Sequence, residues 1–250
     1  MLAQTLVIMK KEWSELRSTL FSVHNLLAGV WPVLLFCAAF GVYEPFRLGP
    51  AWLGSPLMVL SCSVLLPFVV IGFISPYSFV GEREHGTLEP LLATPVSDQA
   101  ILFGKIGMAV LYGWGVALVN MLLGLGSINL FLANGRFLHF PPGILIPTVL
   151  LSLFFSLLVA IMGTNSSFYA RTLLDAQRNH VMALLIPMLL PAFFVGPFMP
   201  EAWKGTIVQM ITPLGATNLY LILIVLLLMV DGIFMGFALI RFHRKQLLLE

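Results

Sequence analysis

An all-α integral membrane protein is the fold class the sequence predicts, on three observations. Of the 250 residues, 59% are hydrophobic and 10% charged, against roughly 25% charged in soluble domains. The apolar residues gather into six runs, each able at about 1.5 Å per residue to cross, or nearly cross, a hydrocarbon core of about 30 Å. The basic residues between the runs divide unevenly. Lys10, Lys11, Arg17, Arg83, Lys105, Arg171, Arg178, Arg241, Arg244 and Lys245 fall on one face of a six-span chain, and only Arg47, Arg136 and Lys204 on the other. That bias places both termini, and the loop over 81–100, in the cytoplasm. The six spans leave no room for a sizeable soluble domain, so residues 1–250 read as one transmembrane domain.

Residues 1–20 come first. Leu2, Leu6, Met9, Trp13, Leu16 and Leu20 recur at spacings of three and four, while the charged residues mostly fall elsewhere, which predicts an interfacial amphipathic helix. The spans follow at about Phe21–Tyr43, Pro56–Val80, Ile101–Leu125, Gly143–Gly163, Val181–Met199 and Leu219–Ile240. Pro67 and Pro76 in the second, and Pro187, Pro191 and Pro197 in the fifth, predict kinks or breaks. Residues 196–218 form a kinked outer loop before the sixth span, either a re-entrant pair of short helices or a plain surface loop. Tyr43, Trp52 and Trp203 are placed for an outer aromatic belt.

Between the second and third spans lies a polar island, GEREHGTLEPLLATPVSDQAILFGK from Gly81 to Lys105, holding Glu82, Glu84, Glu89 and Asp98. Pro90 is tolerated only in a first helical turn, Thr87 fits an N-cap, and Glu89 faces the positive helix end. Leu88, Leu91 and Leu92 then share one face of a short helix, which Pro95 stops. Ser97 and Asp98 restart a helix as cap and first-turn acid.

Two polar residues lie within spans. Asp231 sits midway along the sixth, where a charge costs roughly 2.5 to 3.5 kcal/mol on the insertion scale, so it faces protein or water rather than lipid. It lines a pathway or serves as hydrogen-bonded helix glue. Asn120 in the third span reads as an interhelical hydrogen bonder. Gly232 and Gly236 form a GxxxG step that admits a close neighbour.

The chemistry of common enzymes is missing. Around Gly104 and Lys105, Gln99 stands where a phosphate loop needs its first glycine and Ile106 where it needs a hydroxyl. Neither HExxH nor GxSxG occurs, and His24, His85, His139, His180 and His243 are too dispersed for a metal cluster. A net charge of +2, with no basic patch, gives no case for nucleic acid.

Residues Ser78 to Lys105 closely resemble the first cytoplasmic loop of ABC-2 type permeases, the membrane subunits of a class of ABC exporters. The residues that carry the likeness are Glu82, Arg83, Glu84, Gly86, Thr87, Leu88, Glu89, Leu91, Leu92 and Pro95, with Gly104 and Lys105 entering the third span; Asp175, Ala176 and Gln177 add a weaker one. The resemblance implies a coupling helix that enters a groove on a separate ATP-binding subunit, with Leu88, Leu91 and Leu92 towards the groove and the acids against basic residues around it. It further implies ATP and Mg on that partner and no cofactor in this chain. A second permease chain, identical or related, and a prokaryotic plasma membrane location are implied as well. Two other readings stand beside the exporter: an ion-coupled secondary transporter using Asp231, and an integral-membrane enzyme. The coupling loop disfavours the first, and the missing motifs disfavour the second.

Overall fold

The computed structural model describes residues 1–20, 31–132, 135–168, 170–195 and 215–242. Among them every regular element is helical: α1 (Leu2–Leu20), α2 (Trp31–Ala38), α3 (Glu44–Leu48), α4 (Ala51–Gly54), α5 (Pro56–Ile74), α6 (Tyr77–Glu84), α7 (Leu88–Leu92), α8 (Asp98–Phe131), α9 (Pro142–Phe168), α10 (Leu173–Val195) and α11 (Gly215–Arg241). A π-helical turn, Ala39–Tyr43, joins α2 to α3. Four stretches among the described residues are long and apolar enough to cross a membrane: Val64–Glu84, Asp98–Phe131, Pro142–Phe168 and Asn218–Arg241. The expected start of the first span, the loop over 196–214 with Pro197 and Trp203, and Arg244 and Lys245 lie outside the described residues.

The long helices form one bundle. α5 packs on α8 and on α9, and α9 packs on α11. The α9 and α11 pair runs parallel, since Leu151 clusters with Tyr220 and Ile224 while Asn165, further along, reaches the carbonyl of Phe234. α1 lies along the start of α8. Gly104 makes this approach feasible: a Cβ there would come within 2.6 Å of Ile8 Cγ2 and 3.3 Å of the Thr5 carbonyl. Ile8 is therefore the buried residue of α1, while Leu2, Leu6 and Trp13 of the predicted stripe are left exposed.

Two departures from expectation have plain causes. The second run is interrupted at Ser75–Pro76 and resumes as α6, so the helix continues to Glu84 rather than ending at Val80. Proline's missing N–H removes a ladder bond at the break. The Ser75 hydroxyl instead donates to the Ala160 carbonyl at 2.6 Å, in a crossing so tight that a Cβ on Gly163 would lie 2.6 Å from Ser75 Cβ. Trp52, expected in an outer aromatic belt, does not point outward. It is buried against Phe140, with ring centroids 5.6 Å apart, and fits over Gly124.

Candidate functional site

The polar island folds as two short helices joined by one turn. Gly86, at φ +67°, ends α6; the Thr87 N–H donates to the Glu82 carbonyl at 2.9 Å and the Gly86 N–H to that of Arg83 at 3.1 Å. This paired closure satisfies carbonyls that a helix end leaves open, and a left-handed residue there favours glycine. Thr87 occupies the predicted N-cap position, but its hydroxyl donates back to the Glu82 carbonyl at 3.3 Å instead of capping α7. Ser97 does cap α8, accepting from the Ala100 N–H at 3.4 Å.

Leu88, Leu91 and Leu92 share one face, as their spacing predicts, and that face turns inward. All three are buried in the cluster that holds Ile8, Ile101 and Leu102. The face that sequence reasoning expected to be presented to a groove is thus covered within the chain itself. The outward residues are Glu89, Pro90, Ala93 and Pro95, with Gly86 and Thr87 at the approach.

The three charges of α6 are likewise engaged within the chain. Arg83 donates to the carbonyls of Phe168 at 3.0 Å and Ala170 at 2.8 Å, placing a cation at the C-terminal end of α9 where the helix dipole favours it. Glu84 accepts the Leu173 N–H at 3.0 Å, at the first residue of α10. Thr172 and Asp175 complete that helix start: the Thr172 hydroxyl donates to Asp175 Oδ2 at 2.8 Å and accepts the Asp175 N–H at 3.2 Å. Adjacent side chains of one helix thus close the end of α9 and open α10. Phe79 adds an apolar tie, with centroids 5.2 Å from Phe168 and 5.2 Å from Phe242 beyond α11.

Beneath them lies a buried ion network. Lys105 Nζ donates to Glu12 Oε1 at 2.7 Å, Glu82 Oε1 at 2.9 Å and the Ser78 carbonyl at 2.9 Å, so all three of its hydrogens are used. The Phe79 ring centroid lies 5.1 Å from Nζ. Lys11 joins from α1, pairing with Glu82 and with Glu15 at 3.1 Å. Partial burial disfavours the Lys11 charge, but the hydrogen bond it donates to Glu82 and the fields of Glu12 and Glu82 outweigh it and hold its pKa above the ordinary lysine value. Oxygens of Glu12, Glu15 and Glu82 lie within 4.8 Å of one another. Two ammonium groups already occupy this set, so it reads as a charge network joining α1, α6 and α8 more readily than as a metal centre. Sequence reasoning gave Lys11 and Glu12 only to the polar side of α1; the usable signal was Lys105, a cation at the head of an apolar run that needs buried counter-charges.

Asp231 is buried inside the bundle, as expected of an acid that avoids lipid, and neither carboxylate oxygen makes a hydrogen bond among the described residues. Asn120 is also fully buried, against Gly41 of the π-helical turn, where a Cβ would collide with its Oδ1. The interhelical hydrogen bond expected of it is not formed among the described residues. Among the described residues nothing lies within 4 Å of where a Cβ on Gly232 or Gly236 would sit, so no described helix packs into that step.

Residues 8–174 match the family model described as ABC-2 family transporter protein. Among individual proteins, the inner membrane transport permease YhhJ of Escherichia coli (strain K12) is 36% identical over 95 residues, which is 34% of this chain and 24% of that relative. The Shigella flexneri protein of the same name matches to the same extent. The chain thus spans about a quarter of the length of these curated relatives.

Proposed function

The chain belongs to the ABC-2 family of transporter proteins, and from that premise we propose that it is the permease subunit of an ATP-driven exporter, moved by a separate ATP-binding subunit. The reading includes six spans, a single transmembrane domain over residues 1–250 and both termini in the cytoplasm of a prokaryotic cell. α1 lies in the interface with its Leu2, Leu6 and Trp13 stripe towards lipid. A second permease chain completes the conduit. ATP and Mg bind the partner, and this chain supplies transport rather than catalysis.

One observation carries the coupling role. α6, to which α7 is joined by one turn, contacts α1 through Lys11, α8 through Lys105, and α9 and α10 through Arg83 and Glu84, while Glu12 of α1 shares Lys105 with it. A displacement of α7 is therefore passed by α6 to four further helices at once. An effector can shift a conformational equilibrium only by binding the two states differently, and rigid attachment is a means of delivering that difference. Because Glu82, Arg83, Glu84 and the three leucines are engaged inside the chain, the partner is met by Thr87, Glu89, Pro90 and Pro95, with Gly86 shaping the approach.

The test is co-purification with the ATP-binding subunit. Exchange of Glu89 for Arg, together with Pro90→Ala, leaves the permease folded and abolishes its ATP-dependent transport; an intact, transport-competent complex from this double variant would sink the reading. The buried, unbonded carboxyl of Asp231 favours the ion-coupled carrier as a second reading. Transport by the chain without any ATPase, lost in Asp231→Asn, would decide for it.

A further inference from the structure

α1 sorts its charges between two sides. Glu12 pairs with Lys105 at 2.7 Å and Glu15 with Lys11 at 3.1 Å, within the network that joins α1 to α6 and α8. Elsewhere on the helix Leu2, Leu6, Lys10, Trp13 and Arg17 follow one another three or four residues apart, which makes them one face, and all five are exposed. Neither Lys10 nor Arg17 forms an ion pair among the described residues. The acids of the helix lie off this face, which carries two uncompensated cations on either side of an exposed indole.

The packing of α1 sets its depth. α8 has 34 residues and, at about 1.5 Å each, is about 51 Å long, roughly 20 Å more than a hydrocarbon core of about 30 Å. Asp98 and Lys105 are its only charges and both lie at its head, so that end is the part left outside the core. α1 flanks this head, with Ile8 over Gly104 and the Trp13 ring 6.5 Å from that of Tyr112. An indole beside a phenol favours the headgroup layer. We propose that the exposed face of α1 binds anionic phospholipid, with Lys10 and Arg17 on headgroup phosphates and Leu2, Leu6 and Trp13 against the upper acyl chains. The inference rests on the interfacial placement of α1 proposed with its function, and deepens it by naming the lipid. A zwitterionic headgroup neutralises its own phosphate and leaves the two cations unmatched. An acidic soluble protein would match them but not the apolar residues interleaved in the same row. Each cation near an anionic surface gains about fivefold in association.

The test uses the full chain in nanodiscs, with Cys37→Ala and Cys62→Ala and a bimane attached at Ser14→Cys, an exposed position next to Trp13. Phosphatidylcholine brominated near the top of one acyl chain quenches a bimane held at the headgroup layer. At the same low mole fraction in unbrominated phosphatidylcholine, brominated phosphatidylglycerol should quench about threefold or more strongly than brominated phosphatidylcholine. Lys10→Gln with Arg17→Gln should equalise the two lipids without moving the thermal midpoint, since both side chains are exposed and unpaired. Lys10→Arg with Arg17→Lys should keep the difference. No quenching in fully brominated phosphatidylcholine would sink the interfacial placement and this inference with it. Equal quenching by the two lipids before the Gln pair is made, or a preference that survives it, overturns the anionic site alone and leaves the placement standing.

Discussion

Lys105 and Glu82 meet at 2.9 Å although 23 residues separate them, one at the head of the long helix α8 and the other on α6. Their contact closes the polar island on itself. Glu12 completes the bridge at 2.7 Å from Lys105, so three helices share one buried ammonium. Breaking a buried pair from one side leaves an uncompensated charge and costs about 3–5 kcal/mol. Lys105→Met should therefore lower the thermal midpoint of the detergent-solubilised protein by several degrees. Glu12→Leu added to it restores the original charge balance and should return part of the loss. A midpoint unchanged by Lys105→Met would show that the network does not hold the fold.

The raised pKa of Lys11 gives a pH dependence of definite sign. A lysine held above its unfolded value contributes stability that is fully present below about 10.4 and is lost as pH rises through the folded value. The difference in thermal midpoint between wild type and Lys11→Met should accordingly stay constant from pH 7 to 9. It should shrink only above pH ~10.4. Scans of the two proteins in matched buffers read this directly, and a difference that decays between pH 7 and 9 would contradict the pairing with Glu82.

How much of this was legible in the sequence follows from what each pattern encodes. Helical class and the short helix between Gly86 and Pro95 were legible, because span length, proline position and leucine spacing are local properties. The direction in which Leu88, Leu91 and Leu92 point was not. Periodicity says that residues share a face and leaves open which neighbours cover it; here the face is buried in a cluster that also holds Ile8, Ile101 and Leu102. The charges misled in the same way. Glu82, Arg83 and Glu84 look like solvent groups in a polar run, yet Arg83 serves carbonyls 85 and 87 residues away. Trp52 read as a belt residue because sequence depth does not reveal the pocket that Gly124 opens for it.

Gly104 tests the seat of α1. A methyl group there meets the Ile8 side chain at 2.6 Å, closer than packed atoms tolerate, so α1 must lift or α8 must shift. Overpacking of this kind costs typically 1–3 kcal/mol. Gly104→Ala should lower stability by about that much. Ile8→Ala, itself a cavity mutation in the wild-type background, should be less harmful in the Gly104→Ala background than alone. A double-mutant cycle in thermal unfolding checks the coupling, and strict additivity would mean that α1 does not sit on Gly104.

Glu84 and Arg171 offer the last test, of the joint between α9 and α10. The Leu173 N–H is the start of a helix whose first donors lack intrahelical partners, and Glu84 reaches it from α6 at 3.0 Å. Losing a side-chain acceptor at a helix start costs about 0.5–2 kcal/mol, and an exposed acceptor such as Glu84 belongs at the lower end. That is too little to unfold the bundle but enough to loosen a short connection locally. Arg171 lies in this connection and is exposed, which makes it a trypsin site. Limited proteolysis of Glu84→Ala should cut after Arg171 severalfold faster than in wild type, with the global thermal midpoint nearly unchanged. Glu84→Gln, whose amide oxygen can still accept the N–H, should cut at close to the wild-type rate. If all three proteins are cleaved alike, the link from α6 to the start of α10 carries no weight, and a displacement of α7 would not reach α10 by this route.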